Sequence, residues 1–258
     1  MIMKIAIIGA GNIGGAIASG LMESGYSALA DIVVSDPEEM KVKKLAEDYP
    51  GLKGTDDNAE AVKDANIVLI AVKPWLVEPL LSSLKLEETQ ILASVAAGVT
   101  FEKLASYTGK SLAMFRIIPN TAIRKRASMS LIASMGATEE QEKLMLDIFN
   151  RLGLAMMVPE SKMEAGTAVS SCGIAYVLKY IYAATEAGVE MGLYPHEAMM
   201  MVAQSAKGAA ELLLSGDTHP AVEIDKVTTP GGLTIKGVNT LDAEGFAAAV
   251  IKAIKASV

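Results

Sequence analysis

The chain has 258 residues, 51% of them hydrophobic, and a formal net charge of −7. This length suits one large domain or two ordinary ones, and the acidic balance argues against a general nucleic-acid surface. The single cysteine, Cys172, excludes an internal disulfide and a cysteine-based metal cluster, and it fits a reducing compartment. Because the chain enters its first predicted strand, residues 5–8, almost at once, we expect no signal peptide and a cytoplasmic location.

The first strand, at residues 5–8, runs directly into a glycine-rich turn. Its pattern is Gly9-x-Gly11-x-x-Gly14, and a helical spacing of apolar residues follows it. This order of strand, turn and helix is typical of a dinucleotide site, because the backbone can approach a pyrophosphate and the helix N-terminus faces its charge. The alternative is a tight turn without a ligand. The residues that we expect at the nucleotide are Gly9, Gly11, Asn12, Ile13 and Gly14.

The second strand, at residues 32–35, ends at the dipeptide Asp36-Pro37. A carboxylate at this distance beyond the glycine turn commonly binds the ribose hydroxyls of NAD(H), and it repels the 2′-phosphate of NADP(H). Asp36 therefore favours NADH, whereas Ser35 suits either cofactor. Because Asp-Pro also begins helices, an equal alternative is that Asp36 caps the next helix.

That helix, residues 38–47, is predicted to turn Met40 and Leu45 inward. The apolar run at residues 67–72 then predicts a central parallel strand. Side chains just beyond the carboxyl end of such a strand line a ligand crevice, so Lys73 is placed to reach a ribose or a phosphate. A solvated loop lysine is the alternative. Further cofactor candidates at carboxyl ends of strands are Ala71, Val72, Pro74 and Asn120.

Strand and helix patterns continue to alternate up to Pro159. The pattern Thr138-x-x-Gln141 is typical of a capping box and predicts a helix that ends near Leu152. Repeated βα units indicate a doubly wound sheet, so we assign residues 1–159 to a Rossmann-type dinucleotide-binding domain. The remaining strands are predicted at residues 91–97, 111–118, 131–134 and 155–158.

No strand pattern follows, and residues 160–258 are predicted to form an all-helical dimerisation and substrate domain. Charged residues interrupt its first helix, residues 162–191, so a buried helix is favoured over a membrane span. Long stretches with few charges need a covering partner, for which a homodimer is simplest. His196 and His219 lack metal-ligand spacing, so we expect surface or cap roles for them and no metal site.

Four stretches and one C-terminal turn resemble the pyrroline-5-carboxylate reductase family, over essentially the whole chain. The stretches are residues 8–14, 71–74, 94–100 and 116–121, and the turn is residues 229–235. The resemblance implies that NADPH or NADH reduces the cyclic imine 1-pyrroline-5-carboxylate to L-proline, the last step of proline biosynthesis. It also implies a homodimer, with rings of dimers as a larger form, and an active site shared between two chains.

The C-terminal turn supplies the predicted substrate contacts. Gly231 and Gly232 offer unblocked backbone N–H groups just before a helix, which suits a carboxylate. The resemblance places Thr234 where the family's hydroxyl hydrogen-bonds the imine nitrogen, so Thr234 is the catalytic candidate; a helix cap is the alternative. Most of the rate is expected from positioning, with the cofactor carrying the hydride. The predicted contacts are Thr229, Gly231, Gly232, Leu233 and Thr234.

Several residues depart from the family pattern and leave other functions open. One alternative is a related two-domain hydroxy-acid or imine dehydrogenase, although the lysines at residues 162 and 179 lack the setting expected of its acid–base group. The other is a non-catalytic dimer that senses NAD(P)H. The departures are Ala122 and Leu233 in place of proline and threonine, the charged Arg124, and Cys172 and Ile174 on the substrate side.

Overall fold

The computed structural model describes residues 3–258, which form two compact units. The first, which we call the sheet unit, ends at Ser171, and the second, the helical unit, runs from Cys172 to Val258. The predicted boundary after residue 159 lies on the N-terminal side of this division. The reason is that the chain beyond the last strand still adds buried residues to the sheet unit, namely Met163 and Ala168.

A single eight-stranded sheet forms the centre of the sheet unit. Its strands are β1 (Met3–Ile8), β2 (Ala30–Ser35), β3 (Lys53–Thr55), β4 (Ile67–Ile70), β5 (Ile91–Ser94), β6 (Ala113–Ile118), β7 (Ser128–Met135) and β8 (Gly153–Met157). Their order in the sheet is β3-β2-β1-β4-β5-β6-β7-β8. All neighbours are parallel except β6 and β7. The order reverses between β1 and β4, and such a switch point opens a crevice at the carboxyl ends of the strands.

Helices cover both faces of this sheet. They are α1 (Asn12–Glu23), α2 (Glu39–Asp48), α3 (Asn58–Val62), α4 (Pro74–Ser83), α5 (Phe101–Thr108) and α6 (Glu139–Asn150). Successive residues of β1 alternate between two hydrophobic clusters: Ile5 and Ile7 pack with α1, α2 and α6, and Ala6 and Ile8 pack with α3, α4 and α5. The predicted doubly wound sheet is therefore confirmed.

Some local predictions are confirmed and others are wrong. The capping box is present, because the Thr138 hydroxyl accepts from the Gln141 N–H and the Gln141 side chain accepts from the Thr138 N–H. Met40, predicted to point inward, is 84% exposed, since the buried face of α2 carries Val42 and the partly buried Leu45. α4 begins at Pro74, because proline suits the first turn of a helix.

The predicted helix at residues 162–191 is interrupted. It comprises α7 (Met163–Gly166), a π-helical turn (Thr167–Ser171) and α8 (Gly173–Glu190). The hydroxyl of Thr167 donates to the Met163 carbonyl and that of Ser170 to the Gly166 carbonyl, which satisfies carbonyls around the turn. The remaining helices are α9 (Pro195–Ser215), α10 (Pro220–Val227), α11 (Leu233–Ala243) and α12 (Phe246–Lys255).

Apolar side chains of the helical unit are largely exposed. Among the described residues, Ala198 is the one member of this unit that is buried. The expectation that α8 is a buried helix is not met within a single chain, because it exposes Val177, Leu178, Tyr180 and Tyr182 by about half each. None of the helices within residues 3–258 is both long enough and apolar enough to cross a membrane.

Candidate active site

The glycine turn after β1 is tightly packed against the end of β4. Gly9 has a φ of +110°, and its N–H donates to the Ser35 carbonyl at 2.7 Å. A Cβ at Gly9 would lie 2.7 Å from the Ala71 carbonyl oxygen, and one at Gly14 would lie 1.9 Å from the Gly9 carbonyl oxygen. Both glycines are therefore required by packing. A Cβ at Gly11 would meet no protein atom within 4 Å, so the space beside Gly11 is open to a ligand.

The N-terminus of α1 faces this open space without a side-chain cap. Gly11 is its N-cap and provides no side chain. The first N–H groups of a helix have no partner within the helix, and they carry the positive end of its dipole. The N–H groups of Asn12 and Ile13 are in this position, and the Asn12 side chain is exposed. This arrangement fits the pyrophosphate of a dinucleotide.

Asp36 is fastened to the glycine turn. It is 8% exposed, its Oδ2 accepts from the Ala10 N–H at 2.7 Å, and its Oδ1 accepts from the Glu38 N–H at 2.9 Å. The N-cap of α2 is Glu38, so Asp36 does not occupy the cap position that was the alternative to ribose binding. Its carboxylate is held at the carboxyl end of β2, where an adenosine ribose would lie.

Asn58 is a neighbour of this position that the sequence patterns did not single out. The buried hydroxyl of Ser35 donates to the Asn58 Oδ1 at 2.7 Å. Asn58 is the first residue of α3, whose N-cap Asp57 accepts from two backbone N–H groups. A capping Asp directly before it was a usable signal for the start of α3. The contact with Ser35 required the tertiary structure.

The segment after β4 forms the second wall of the glycine turn. Ala71 and Val72 are the residues that a Cβ at Gly9 would meet. Lys73 is exposed and is the N-cap of α4, with Pro74 as the first helical residue. Trp75, the single tryptophan of the chain, is 73% exposed on the same turn. The structure thus brings residues 71–72 against the glycine turn, with an exposed cation and an indole directly after them.

The hydrogen bonds of Asn120 lead away from the glycine turn. Its Oδ1 accepts from the Ala122 N–H at 3.0 Å, and its Nδ2 donates to the Ser170 carbonyl at 3.4 Å. Its backbone N–H donates to the Ser128 hydroxyl, and the Ser171 hydroxyl donates to the Pro119 carbonyl. Asn120 therefore joins the end of β6 to the π-helical turn. The Ala122 N–H that it binds would be absent if proline stood there.

The C-terminal glycine turn lies in the helical unit. The Gly232 N–H donates to the Thr229 carbonyl at 3.0 Å, and Gly231 has a φ of +72°, which closes a β-turn just before α11. The prediction that the Gly232 N–H is unblocked is therefore wrong, because the turn itself uses it. Gly232 is the N-cap of α11 and supplies no side chain, so the first N–H groups of this helix are not capped. Thr234 is exposed on the first turn, and Leu233 is 85% exposed.

Two family models match the N-terminal and C-terminal parts of the chain. The model described as pyrroline-5-carboxylate reductase dimerisation matches residues 160–258. The model described as NADP oxidoreductase, coenzyme F420-dependent, matches residues 4–98. The second match covers β1 to β5, with the glycine turn and the segment after β4.

Relatives and solved structures extend this likeness over the whole chain. Pyrroline-5-carboxylate reductase 2 of Dictyostelium discoideum is 37% identical over 97% of the chain and 89% of that protein. Reductase 1 of the same organism is 36% identical, and the chain spans about half, 48%, of its length. The structure of a pyrroline-5-carboxylate reductase from Coxiella burnetii superimposes with a TM-score of 0.91, 28% identity and coverage of 100% and 96% of the two chains.

A reductase from Plasmodium falciparum, whose structure has NADP bound, gives a TM-score of 0.85 at 26% identity, with 99% and 95% of the chains covered. The sheet with its glycine turn after β1, the glycine turn of the helical unit, the family models and the full-length relatives agree with one another. The chain therefore belongs to the pyrroline-5-carboxylate reductase family.

Proposed function

We propose that the protein reduces 1-pyrroline-5-carboxylate to L-proline with NADPH or NADH. The observation that carries this proposal is the uncapped glycine turn at the switch point of a sheet that belongs to this reductase family. When bound, the cofactor supplies a hydride to the imine carbon, and the ring nitrogen takes up a proton. The protein's own part is to bind, to orient and to hold the two reactants together.

At the cofactor, the backbone of Gly9, Gly11 and Gly14 admits the pyrophosphate, and Asn12 and Ile13 donate N–H groups to it. Ala71, Val72, Lys73 and Pro74 line the adjoining wall, and Asn120 closes the far edge of the crevice. The support is the open space beside Gly11 and the packing of residues 71–72 on the turn. Because the Asn120 side chain bonds protein groups, we assign it a supporting contact.

Asp36 makes NADH the preferred cofactor, and Ser35 adds a polar contact beside the ribose. The Asp36 carboxylate is buried and fixed by two backbone N–H groups, so it cannot swing away from an incoming 2′-phosphate. In Asp36→Asn, one amide oxygen still accepts a hydrogen bond but the charge is gone. We expect the ratio of kcat/KM for NADH to that for NADPH to fall by roughly tenfold. An unchanged ratio would remove Asp36 as the selector.

At the substrate, the turn at residues 229–234 binds the carboxylate through the N–H groups of Gly231 and Leu233, and Gly232, whose own N–H is already bonded within the turn, joins them. Thr229 shapes this turn, since its carbonyl accepts from the Gly232 N–H. The hydroxyl of Thr234 hydrogen-bonds the ring nitrogen. Thr234→Ala is expected to lower kcat by about 100-fold, the lower range for a proton-transfer group, and Thr234→Ser is expected to keep most of it. Equal loss in both variants would mean that Thr234 acts through packing.

A homodimer covers the helical unit and completes the site. The support is the match of residues 160–258 to a dimerisation family and the apolar side chains that this unit exposes. We further propose that dimers assemble into rings and that the enzyme works in the cytoplasm. Light scattering on the purified protein gives the number of chains directly, and a monomer at working concentration would contradict the shared site. Cell fractionation tests the location.

One assay decides the main proposal. The purified protein is given 1-pyrroline-5-carboxylate with NADH or with NADPH, and proline formation and cofactor absorbance are followed together. We expect proline to form with a one-to-one loss of reduced cofactor. Tight cofactor binding without turnover, seen by quenching of the single Trp75, would instead favour a sensing dimer. Turnover on hydroxy acids but not on the imine would favour a related dehydrogenase.

A further inference from the structure

A buried arginine stands at the carboxyl end of the sheet, outside the residues assigned to the site. Arg116 lies in β6 between apolar neighbours, and 10% of its side chain is exposed. Its Nη1 lies 2.5 Å from the Glu160 Oε1, and its guanidinium carbon lies 5.9 Å from the centre of the Phe101 ring. A buried guanidinium requires such a partner, because its charge is costly to remove from water.

The same carboxylate oxygen also holds a helix. The Glu160 Oε1 accepts from the Phe101 N–H at 2.9 Å, and Phe101 is the first residue of α5. The hydroxyl of the N-cap Thr100 accepts from a different N–H, that of Lys103. Glu160 and Thr100 therefore each bind one of the N–H groups that have no partner within the helix. A negative charge at a helix N-terminus is favourable. Glu160 is thus bonded to β6 and to α5 at once.

These contacts fix the loop between β5 and α5. The loop, residues 95–100, leaves β5 at its last residue, Ser94, and Ser94 pairs with Arg116 in the sheet. Its other end is Thr100, directly before the Phe101 N–H that Glu160 binds. One end of the loop is therefore set by the β5–β6 pairing and the other by the carboxylate. Without Glu160, the second anchor is lost.

The loop stands at the reactive half of the crevice. A dinucleotide spans the switch point between β1 and β4, with its adenosine on the β2 side, where Asp36 is held. The other half of the crevice is formed by the carboxyl ends of β4 and β5. The loop after β5 consequently borders the nicotinamide, where the hydride leaves. A displacement of about 1 Å at such a position can cost about 100-fold in rate.

We propose that Glu160 and Arg116 are positioning residues, which hold the 95–100 loop against the reactive end of the cofactor. This inference rests on the proposed function. The pair does not touch the reactants: Glu160 acts through the Phe101 N–H and Arg116 acts through Glu160. The pair therefore affects kcat, and the binding of the adenosine half of the cofactor does not depend on it.

The test compares Glu160→Ala and Glu160→Gln with two control variants. Asp147→Ala removes a second Arg–carboxylate pair, in which Asp147 of α6 lies 3.7 Å from Arg151, the residue directly after that helix. Ile148→Val loosens the core under α6 and so lowers stability without touching the loop. All variants are assayed below their melting temperatures for kcat, for KM and for cofactor Kd by Trp75 quenching.

We expect Glu160→Ala to lower kcat at least tenfold and to change cofactor Kd less than threefold. Glu160→Gln keeps an acceptor for the Phe101 N–H, so it should recover part of kcat. Both controls should keep wild-type kcat. Wild-type kcat in folded Glu160→Ala, or an equal loss in Ile148→Val, would overturn the proposal.

Amide hydrogen exchange tests the anchoring of the loop independently of the proposed enzyme activity. In Glu160→Ala, exchange at residues 95–101 should rise, while exchange in β1 and α1 should stay as in the wild type. If the wild-type protein fails to reduce the imine, the proposed function fails, and this measurement still tests the anchoring of the loop. Unchanged exchange at residues 95–101 would show that Glu160 does not hold the loop.

Discussion

The sheet unit and the helical unit differ in how far they bury their apolar side chains within one chain. The sheet unit places helices on both faces of its strands and buries large side chains such as Phe115 and Phe149 almost completely. The helical unit contains comparable apolar residues, but among the described residues it buries Ala198 alone. Apolar burial drives folding. The sheet unit is therefore stabilised by burial within a single chain, whereas the helical unit is stabilised by burial between subunits.

The largest effect should follow from a charge on the exposed face of α8. Leu178 is 57% exposed, and Leu178→Asp would lose roughly 1.5–3 kcal/mol of burial in each subunit. The dimer dissociation constant should rise by about 100-fold or more, and activity should fall with it. Light scattering over a concentration series measures the dissociation constant of the dimer.

The matched control for that variant lies in the sheet unit. Met40 is even more exposed, at 84%, and Met40→Asp should leave both the dimer and the activity unchanged. If Met40→Asp dissociates the dimer as strongly as Leu178→Asp, the contrast between the two units is wrong.

The next largest effects come from two glycine variants, which distinguish a packing role from a ligand-binding role at the first glycine turn. Gly14→Ala places a Cβ 1.9 Å from the Gly9 carbonyl oxygen, and it should lower the free energy of unfolding by about 1–3 kcal/mol. Gly11→Ala meets no protein atom within 4 Å, so it should change stability by less than about 1 kcal/mol. Cofactor Kd, followed by Trp75 quenching, should nevertheless rise at least tenfold. A normal Kd in Gly11→Ala would show that no pyrophosphate lies there.

A smaller effect tests whether the two units melt differently. Thr138→Ala removes the cap of α6, and it should cost about 1 kcal/mol at any protein concentration. Tyr176→Phe removes the hydroxyl that bonds the Ala253 carbonyl at 3.3 Å and the Ser257 hydroxyl, at a similar cost. The melting temperature of Tyr176→Phe should depend on protein concentration, because the helical unit is stabilised by association. Calorimetry at two concentrations decides between these behaviours.

The smallest effect concerns high pH and the sheet unit alone. Burial raises the pKa of Tyr26 above its usual value near 10, the nearby Asp147 raises it further, and Arg151 lowers it. The unfolded chain therefore ionises first, so stability is complete below pH 10 and falls as the pH rises beyond it. Tyr26→Phe should flatten this fall in a urea titration at pH 9 to 11. An equally steep fall in the variant would assign it to other groups.

Local patterns determined much of this protein. Apolar runs placed the buried strands, because a strand covered on both faces leaves no room for polar residues. The Thr138 capping box and the glycine turn after β1 were also readable, since each is built from residues close in sequence. The family motifs carried the proposed chemistry in the same way. Whether the predicted contacts bind as proposed stays a prediction.

Only the tertiary structure decided how distant segments meet. It turned β7 antiparallel to β6, it fastened Asp36 to the Ala10 N–H, and it joined Glu160 to Arg116 and Phe101. It also exposed Met40 and the face of α8, although their composition suggested burial. These contacts and exposures depend on which surfaces of the chain pack together. A periodic pattern of apolar residues indicates only that a side chain favours burial. The sequence determined the elements, and their packing decided which of them are covered within one chain.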